Sequence, residues 1–191
     1  MSKRLKNKNV LITGASAGIG EACAKEFAKS GSNLILAARR IERLERLKQE
    51  LLSENPEVKI HTHQLDVRDK SSVDSLISSL PAELKEIDIL VNNAGLVIGT
   101  DRVENVSLDA IDTMIDTNVK GLHMILLYVH MYCITTFIEY FLAGKQAYAN
   151  GSVYCASKHA VNAISKTLLY ELVDTPIRVT EINPGKFLSD K

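Results

Sequence analysis

Cysteine is scarce in this chain of 191 residues. Cys23, Cys133 and Cys155 are odd in number, widely separated and without a C-x-x-C pair. That excludes a disulfide framework and a clustered zinc site, and it implies a reducing compartment. A surplus of one charge is also missing, since Lys+Arg and Asp+Glu number 23 each and the formal net charge is zero. A protein that holds nucleic acid or an anionic membrane by its phosphates needs a basic excess, so neither is expected as a partner. The start, Met1-Ser2-Lys3-Arg4-Leu5-Lys6-Asn7-Lys8, is basic, but the apolar run behind it stops at Thr13-Gly14. An export signal needs a longer apolar stretch and a small-residue cleavage site, so a cytoplasmic protein is expected. Internal repeats and low-complexity tracts are absent as well.

What remains is ordinary globular composition, 46% hydrophobic and 24% charged, in a length that suits one domain over 1–191 with a proper core. Short apolar runs alternate with segments of helical period, the pattern of β-α-β units around a parallel sheet. The strands expected are 10–13, 33–37, 58–64, 87–91 and 177–182. Helices are expected over 18–30, from Ile41 through Leu51, from Ser71 to before Pro81, from Ser107 through Asn118, and over about 154–173. Ser71-Ser72-Val73-Asp74 has capping-box form, and Glu42 stands four residues before Arg46 as an ion pair would. The fold class expected is a doubly wound parallel α/β sheet in three layers.

Between the first strand and the first helix lies Thr13-Gly14-Ala15-Ser16-Ala17-Gly18-Ile19-Gly20. Gly14 suits a tight turn, while Gly18 and Gly20 let the backbone approach a pyrophosphate held at the helix N-terminus. The spacing carries one residue more than G-x-G-x-x-G, and no Gly-Lys-Ser/Thr follows to make it a Walker loop. Taken singly, the loop could be a connecting turn. At the end of the second strand an acid would favour a ribose 2′-hydroxyl, whereas this chain has Arg39 and Arg40. Two guanidinium groups suit a 2′-phosphate instead, and NADP is the expected cofactor.

Tyr154-Cys155-Ala156-Ser157-Lys158 places a phenol and an ammonium four residues apart on one helix face. The cation is expected to favour phenolate and lower the tyrosine pKa, fitting Tyr154 for proton transfer near neutral pH. Two histidines, His61 and His63, share a strand face but have no third ligand beside them, and no metal site is expected. His123 and His130 stand isolated in an apolar segment and are expected as core histidines.

Together these motifs resemble the classical short-chain dehydrogenase/reductase family, over Lys8 to about Leu122 and again from Ala143 to Gly185. The resemblance is nearest to the NADP-dependent 3-hydroxy acid or serine 3-dehydrogenase subgroup. It rests on Leu36-Ala37-Ala38-Arg39-Arg40, Leu65-Asp66-Val67-Arg68, Leu80-Pro81-Ala82-Glu83, Ile87 through Leu96 with its Asn92-Asn93-Ala94-Gly95, and Asp116 through Gly121. It implies an oxidoreductase acting on the hydroxyl of a small 3-hydroxy acid or serine-like substrate, or on the matching carbonyl. Tyr154, Lys158 and Asn118 would be catalytic. Gly14, Ser16, Gly18, Ile19, Gly20, Arg39, Arg40, Asp66, Val67, Asn93, Ala94, Gly95, Tyr154, Lys158, Pro184 and Gly185 would bind the cofactor. A homodimer or homotetramer through the helices that hold Ser107 and Tyr154 is implied too.

The pattern breaks at two places. Thirteen residues before the tyrosine the family carries a serine that polarises the substrate oxygen, and this chain has Phe141. By analogy with a lost oxyanion-hole donor, that costs about 10² to 10³ in rate. After Asn183-Pro184-Gly185 the family continues through a lid and a seventh strand, where this chain ends at Lys191. The expectation is therefore a sheet truncated after its sixth strand, either an impaired enzyme or a non-catalytic NADP binder, from an altered or mis-spliced message. Five of the ten aromatic residues crowd the segment between Leu122 and Ala143. It approaches the roughly 20 apolar residues of a membrane helix, but its histidines, Glu139 and paired threonines point to a buried helix-strand connection.

Overall fold

Val10 and Ile12 face one layer of the molecule and Leu11 the other, and all three are fully buried. A strand buried on both faces belongs in the middle of a sheet covered by helices on each side. The structure, a computed structural model, describes residues 4–129, 135–139 and 142–182. Its strands are β1 (Asn9–Thr13), β2 (Asn33–Ala38), β3 (Ile60–Gln64), β4 (Ile89–Asn92), β5 (Thr135–Glu139) and β6 (Arg178–Ile182). All pair in parallel, in the order β3-β2-β1-β4-β5-β6. The doubly wound sheet expected from the sequence is thus observed.

The helices are α1 (Gly18–Lys29), α2 (Ile41–Glu54), α3 (Lys70–Ser79), α4 (Leu108–Ile115), α5 (Leu122–Val129) and α6 (Ser152–Glu171). One core layer packs Val10, Ile12, Leu34 and Leu36 against Ala24 and Ala28 of α1 and Leu44, Leu47 and Leu51 of α2. The other packs Leu11, Ile35 and Leu90 against Val73 and Leu76 of α3, Ile125 and Leu126 of α5 and Val161 of α6. Each valine, leucine or isoleucine among them contributes on the order of 1.5–3 kcal/mol by leaving water.

The chain runs outward from β1 to β3, then returns to place β4 on the other side of β1. At that reversal the loops after β1 and β4 diverge, and a crevice opens at the strands' carboxyl ends. Between α4 and α5 the turns widen into a π-helical segment, Asp116–Gly121. Such an inserted residue turns side chains out of register and is frequent at functional sites.

Several local expectations need correction. Asp69, not Ser71, caps α3, its side chain accepting from Ser71 N, because the helix begins one residue earlier at Lys70. Arg46 Nε donates to the Glu42 backbone carbonyl at 3.4 Å rather than to its carboxylate. The last helix, expected from about residue 154, begins two residues earlier at Ser152, with Gly151 at its N-cap. His123 is exposed rather than in the core, while His130 lies outside the described residues. The aromatic segment divides between α5 and β5, and among the described residues no helix is long and apolar enough to cross a membrane.

Candidate functional site

Thr13, the last residue of β1, organises the crevice. Its buried hydroxyl accepts from Asn93 N at 3.1 Å and from Ala94 N at 3.0 Å. Asn93 Nδ2 returns to the carbonyls of Thr13 at 2.7 Å and Gly14 at 3.3 Å. The loop after β4 is therefore fastened to the loop after β1 through four hydrogen bonds. Gly14 has a φ of +67°, and a methyl group there would stand 2.7 Å from Asn93 Nδ2.

Gly18 and Gly20 do different things. Gly18 has a φ of +60°, with open space where a Cβ would point, and it lines the cleft. Gly20 does not line the cleft. A Cβ there would meet Asn93 Nδ2 at 2.5 Å and Gly14 O at 2.6 Å, so Gly20 lets α1 seat against the loops. The expectation that Gly20 admits a pyrophosphate is corrected: close packing behind the cradle is what demands the missing side chain. The N-terminus of α1 has no side-chain cap, which leaves its first N–H groups facing the cleft with the positive end of the helix dipole.

The cleft has a volume of about 360 Å³ and runs between two chemically distinct ends. At one end Arg40 donates from Nε (3.2 Å) and Nη2 (2.9 Å) to Ser16 Oγ, which aims its guanidinium into the cleft beside Arg39. Leu65, Asp66 and Val67 form the next stretch of wall. The Asp66 carboxylate is gripped by Arg68, Nη2 to Oδ2 at 2.7 Å, and that guanidinium holds its pKa below the usual carboxylate range.

Tyr154 and Lys158 stand at the other end. The Lys158 ammonium, buried to 5% exposure, lies 5.7 Å from the centre of the Tyr154 ring. Asn118 stands behind them on the π segment. Its Oδ1 accepts from Leu96 N and its Nδ2 donates to Leu96 O, both at 2.8 Å. The same Nδ2 donates to Ser157 Oγ at 3.0 Å, and Ser157 Oγ donates to the Tyr154 carbonyl at 2.8 Å. A methyl at Gly95 would stand 3.3 Å from both Asn118 Oδ1 and Lys158 Nζ. The three residues expected to be catalytic are thus brought together, with Asn118 as a support behind the cleft wall.

The expected lowering of the Tyr154 pKa is not found. Burial pushes the phenol above its ordinary range, and Tyr148 and Cys155 push the same way. With the ammonium 5.7 Å from the ring centre, desolvation of the phenolate is the largest influence on this phenol.

Of the remaining expected cofactor residues, Gly14, Ser16, Ile19, Asn93, Ala94 and Gly95 line the cleft, whereas Pro184 and Gly185, like Phe141 at the family's serine position, lie outside the described residues. Leu96, Val97 and Thr117 also line it, and Ser157 supports it; the sequence reading missed all four. The fixed spacing of Asn118 and Ser157 to their motif neighbours carried a signal, but which atoms meet depends on the π segment. Among the described residues no group of three or more His, Cys, Asp or Glu side chains is placed to hold a metal ion.

Comparison with known proteins gives the same picture. The family model for short chain dehydrogenase matches residues 8–191. An NADP-dependent 3-hydroxy acid dehydrogenase of Schizosaccharomyces pombe is 43% identical over 196 residues, spanning 95% of this chain and 72% of that protein. The crystal structure of serine dehydrogenase from Escherichia coli superimposes with a TM-score of 0.86 at 41% identity, covering 92% of this chain and 82% of the other. A closed form of serine dehydrogenase complexed with NADP+ gives 0.85 at 41% identity, over 92% and 71% of the two chains.

Proposed function

The chain belongs to the short-chain dehydrogenase family, and from that premise we propose that it is an NADP-dependent oxidoreductase acting on a small 3-hydroxy acid or serine-like substrate. One observation carries the reading: a single cleft joins the Arg40–Ser16 anion end to the Tyr154–Lys158 proton-transfer end. The fit to the dinucleotide is chemical. A guanidinium pinned at Ser16 suits a 2′-phosphate, and the uncapped α1 N-terminus with the open space at Gly18 suits a pyrophosphate.

When bound, NADP(H) supplies or accepts the hydride. The chain's own part is to place the substrate and move one proton. Tyr154, held protonated by burial, delivers its proton to the carbonyl oxygen during reduction and regains one from solvent; oxidation runs from the phenolate, which accepts the hydroxyl proton. Lys158 places a buried positive charge beside the oxygen that develops negative character. Asn118 and Ser157 keep the tyrosine helix in register with Gly95 and Leu96. The Phe141 position withholds the hydroxyl that the family uses to polarise the substrate oxygen, so turnover is slow relative to binding. A family-type dimer or tetramer belongs to this reading; α4 and α6 leave Leu108 at 77% and Tyr170 at 80% exposure for such a contact.

The test is a fluorescence titration with NADPH and NADH, run beside turnover of serine and 3-hydroxybutyrate. NADPH is expected to bind more tightly than NADH, and Phe141→Ser to raise turnover. Failure to bind either dinucleotide overturns the reading. Binding without turnover, unchanged by Phe141→Ser, replaces it with a non-catalytic dinucleotide binder.

A further inference from the structure

Val97 and Tyr148 are large apolar side chains left at the surface, each 52% exposed. Both stand at the tyrosine end of the cleft. Val97 lines it directly, just beyond Gly95, where a methyl would stand 3.3 Å from Lys158 Nζ. Tyr148 reaches the same end through a tight turn. Gly151 N donates to Tyr148 O at 3.2 Å, and Asn150 takes a φ of +66°, a left-handed conformation that asparagine tolerates better than most residues. The turn folds the Tyr148 ring onto Gly151, where a methyl would stand 2.5 Å from Tyr148 Cε2 and 2.9 Å from Cys155 Sγ. Gly151 and Cys155 bracket Tyr154 at the start of α6. The Tyr148 hydroxyl is hydrogen-bonded with the Cys155 thiol, so its polar tip is occupied and the ring offers an apolar face.

Exposed apolar surface beside a reacting centre marks contact with a ligand. Its chemistry says which part of the ligand comes there. A 3-hydroxy acid brings its hydroxyl oxygen to Tyr154, and the hydroxyl-bearing carbon then carries the carboxylate arm on one side and any alkyl tail on the other. Covering a carboxylate with apolar groups is costly, whereas covering a tail is favourable, so the tail is the arm that suits Val97 and Tyr148. Serine has no tail and carries an ammonium instead. Among the described residues that line this end of the cleft, Lys158 is the one charged group, so that ammonium finds no acid and meets a like charge. Resting on the 3-hydroxy acid reading above, we propose that Val97 and Tyr148 are specificity-determining residues, which receive an alkyl tail on the hydroxyl-bearing carbon and favour such acids over serine.

The test uses the whole chain saturated with NADPH, which cannot react with a hydroxy acid, so calorimetry reads affinity whether or not the chain turns over. The ligands are 3-hydroxypropionate, which has no tail, 3-hydroxybutyrate, 3-hydroxyhexanoate and serine. Affinity is expected to rise about 2- to 4-fold for each carbon of the tail, the scale of a partly to fully covered methylene, with serine no tighter than 3-hydroxypropionate. Val97→Thr puts a hydroxyl in place of one exposed methyl and should cut the advantage of 3-hydroxyhexanoate over 3-hydroxypropionate by about twofold or more. Val97→Thr combined with Tyr148→Ser should abolish that advantage, while NADPH and 3-hydroxypropionate bind within about twofold of the unaltered chain. NADPH affinity reports whether the double variant is folded, and Val97→Thr alone decides the matter if it is not. Equal affinity for the three acids without an ammonium overturns the proposal. So does an advantage that survives undiminished in Val97→Thr, and so does serine binding more tightly than 3-hydroxybutyrate. An unaltered chain that binds NADPH but none of the acids, or binds no NADPH, is a different result: it refutes the functional reading itself, and the proposal falls with it.

Discussion

Asn118 and Ser157, 39 positions apart, meet through one hydrogen bond of 3.0 Å in a place where neither side chain reaches solvent. Asn118 also clasps both backbone groups of Leu96, and Ser157 also holds the Tyr154 carbonyl. The loop after β4 and the first turn of α6 are thus parts of one hydrogen-bonded frame. Ser157→Ala removes an acceptor from the buried Asn118 amide and is expected to cost about 1–3 kcal/mol. Calorimetry should find the melting temperature lower by roughly 2–4 °C for each kcal/mol lost. An unchanged melt would mean that the frame contributes nothing.

Arg40 is expected to discriminate between the two nicotinamide dinucleotides. Its Nε and Nη2 are already oriented by Ser16, and charge-assisted contacts to a phosphate are worth about 1.5–3 kcal/mol. Arg40→Ala should therefore weaken NADPH binding by roughly 10- to 150-fold and change NADH binding by less than about twofold. Equal losses for both would show that Arg40 supports the fold rather than the 2′-phosphate.

Tyr154 should keep its proton throughout the neutral range. Its pKa is raised by burial from the ordinary value of 10.0, so the unfolded chain gives up this proton first as pH rises. Its contribution to stability is complete below about pH 10 and is lost above it. Ultraviolet titration of the unaltered chain against Tyr154→Phe should show no phenolate attributable to Tyr154 below pH 10. A phenolate signal near pH 8 that Tyr154→Phe abolishes would contradict the assignment.

The pair His61 and His63 on β3 gives the opposite pH dependence. Their rings lie 6.5 Å apart, and burial lowers both pKa values from 6.5, with Lys48 adding to the effect at His61 and His61 adding at His63. Here the unfolded chain takes up protons first as pH falls. The contribution to stability is complete above about 6.5 and is lost below it. Melting at pH 5.5 should occur at a lower temperature than at 7.5, and His61→Gln with His63→Gln should shrink that difference. A difference of the same size in the double variant would assign the acid sensitivity to other groups.

Much of this could be read from the residues in order. Val10 through Thr13 and Leu34 through Ala37 are apolar runs short enough for buried strands, and Gly14 and Gly18 mark a loop that needs positive φ. Residues acting within a few positions of one another, such as Arg39 with Arg40 or Tyr154 with Lys158, were equally plain. What escaped depends on neighbours distant in the chain. Gly20 looks like a second cofactor glycine until Asn93 is seen packed against it. The raised Tyr154 pKa follows from burial, which a spacing of four residues does not encode. Asp69 took the capping role from Ser71 because a shift of two residues decides which side chain reaches the free N–H.

The fastening of Thr13 to Asn93 spans 80 residues, and it sets an order of assembly. A chain emerging from the ribosome displays the glycine loop long before β4 exists, and until then that loop has no wall to close against. The dinucleotide therefore cannot seed the first half of the sheet. It can only select and hold molecules in which β4 has already docked beside β1, so its stabilising action falls on the rate of unfolding rather than on the early rate of folding.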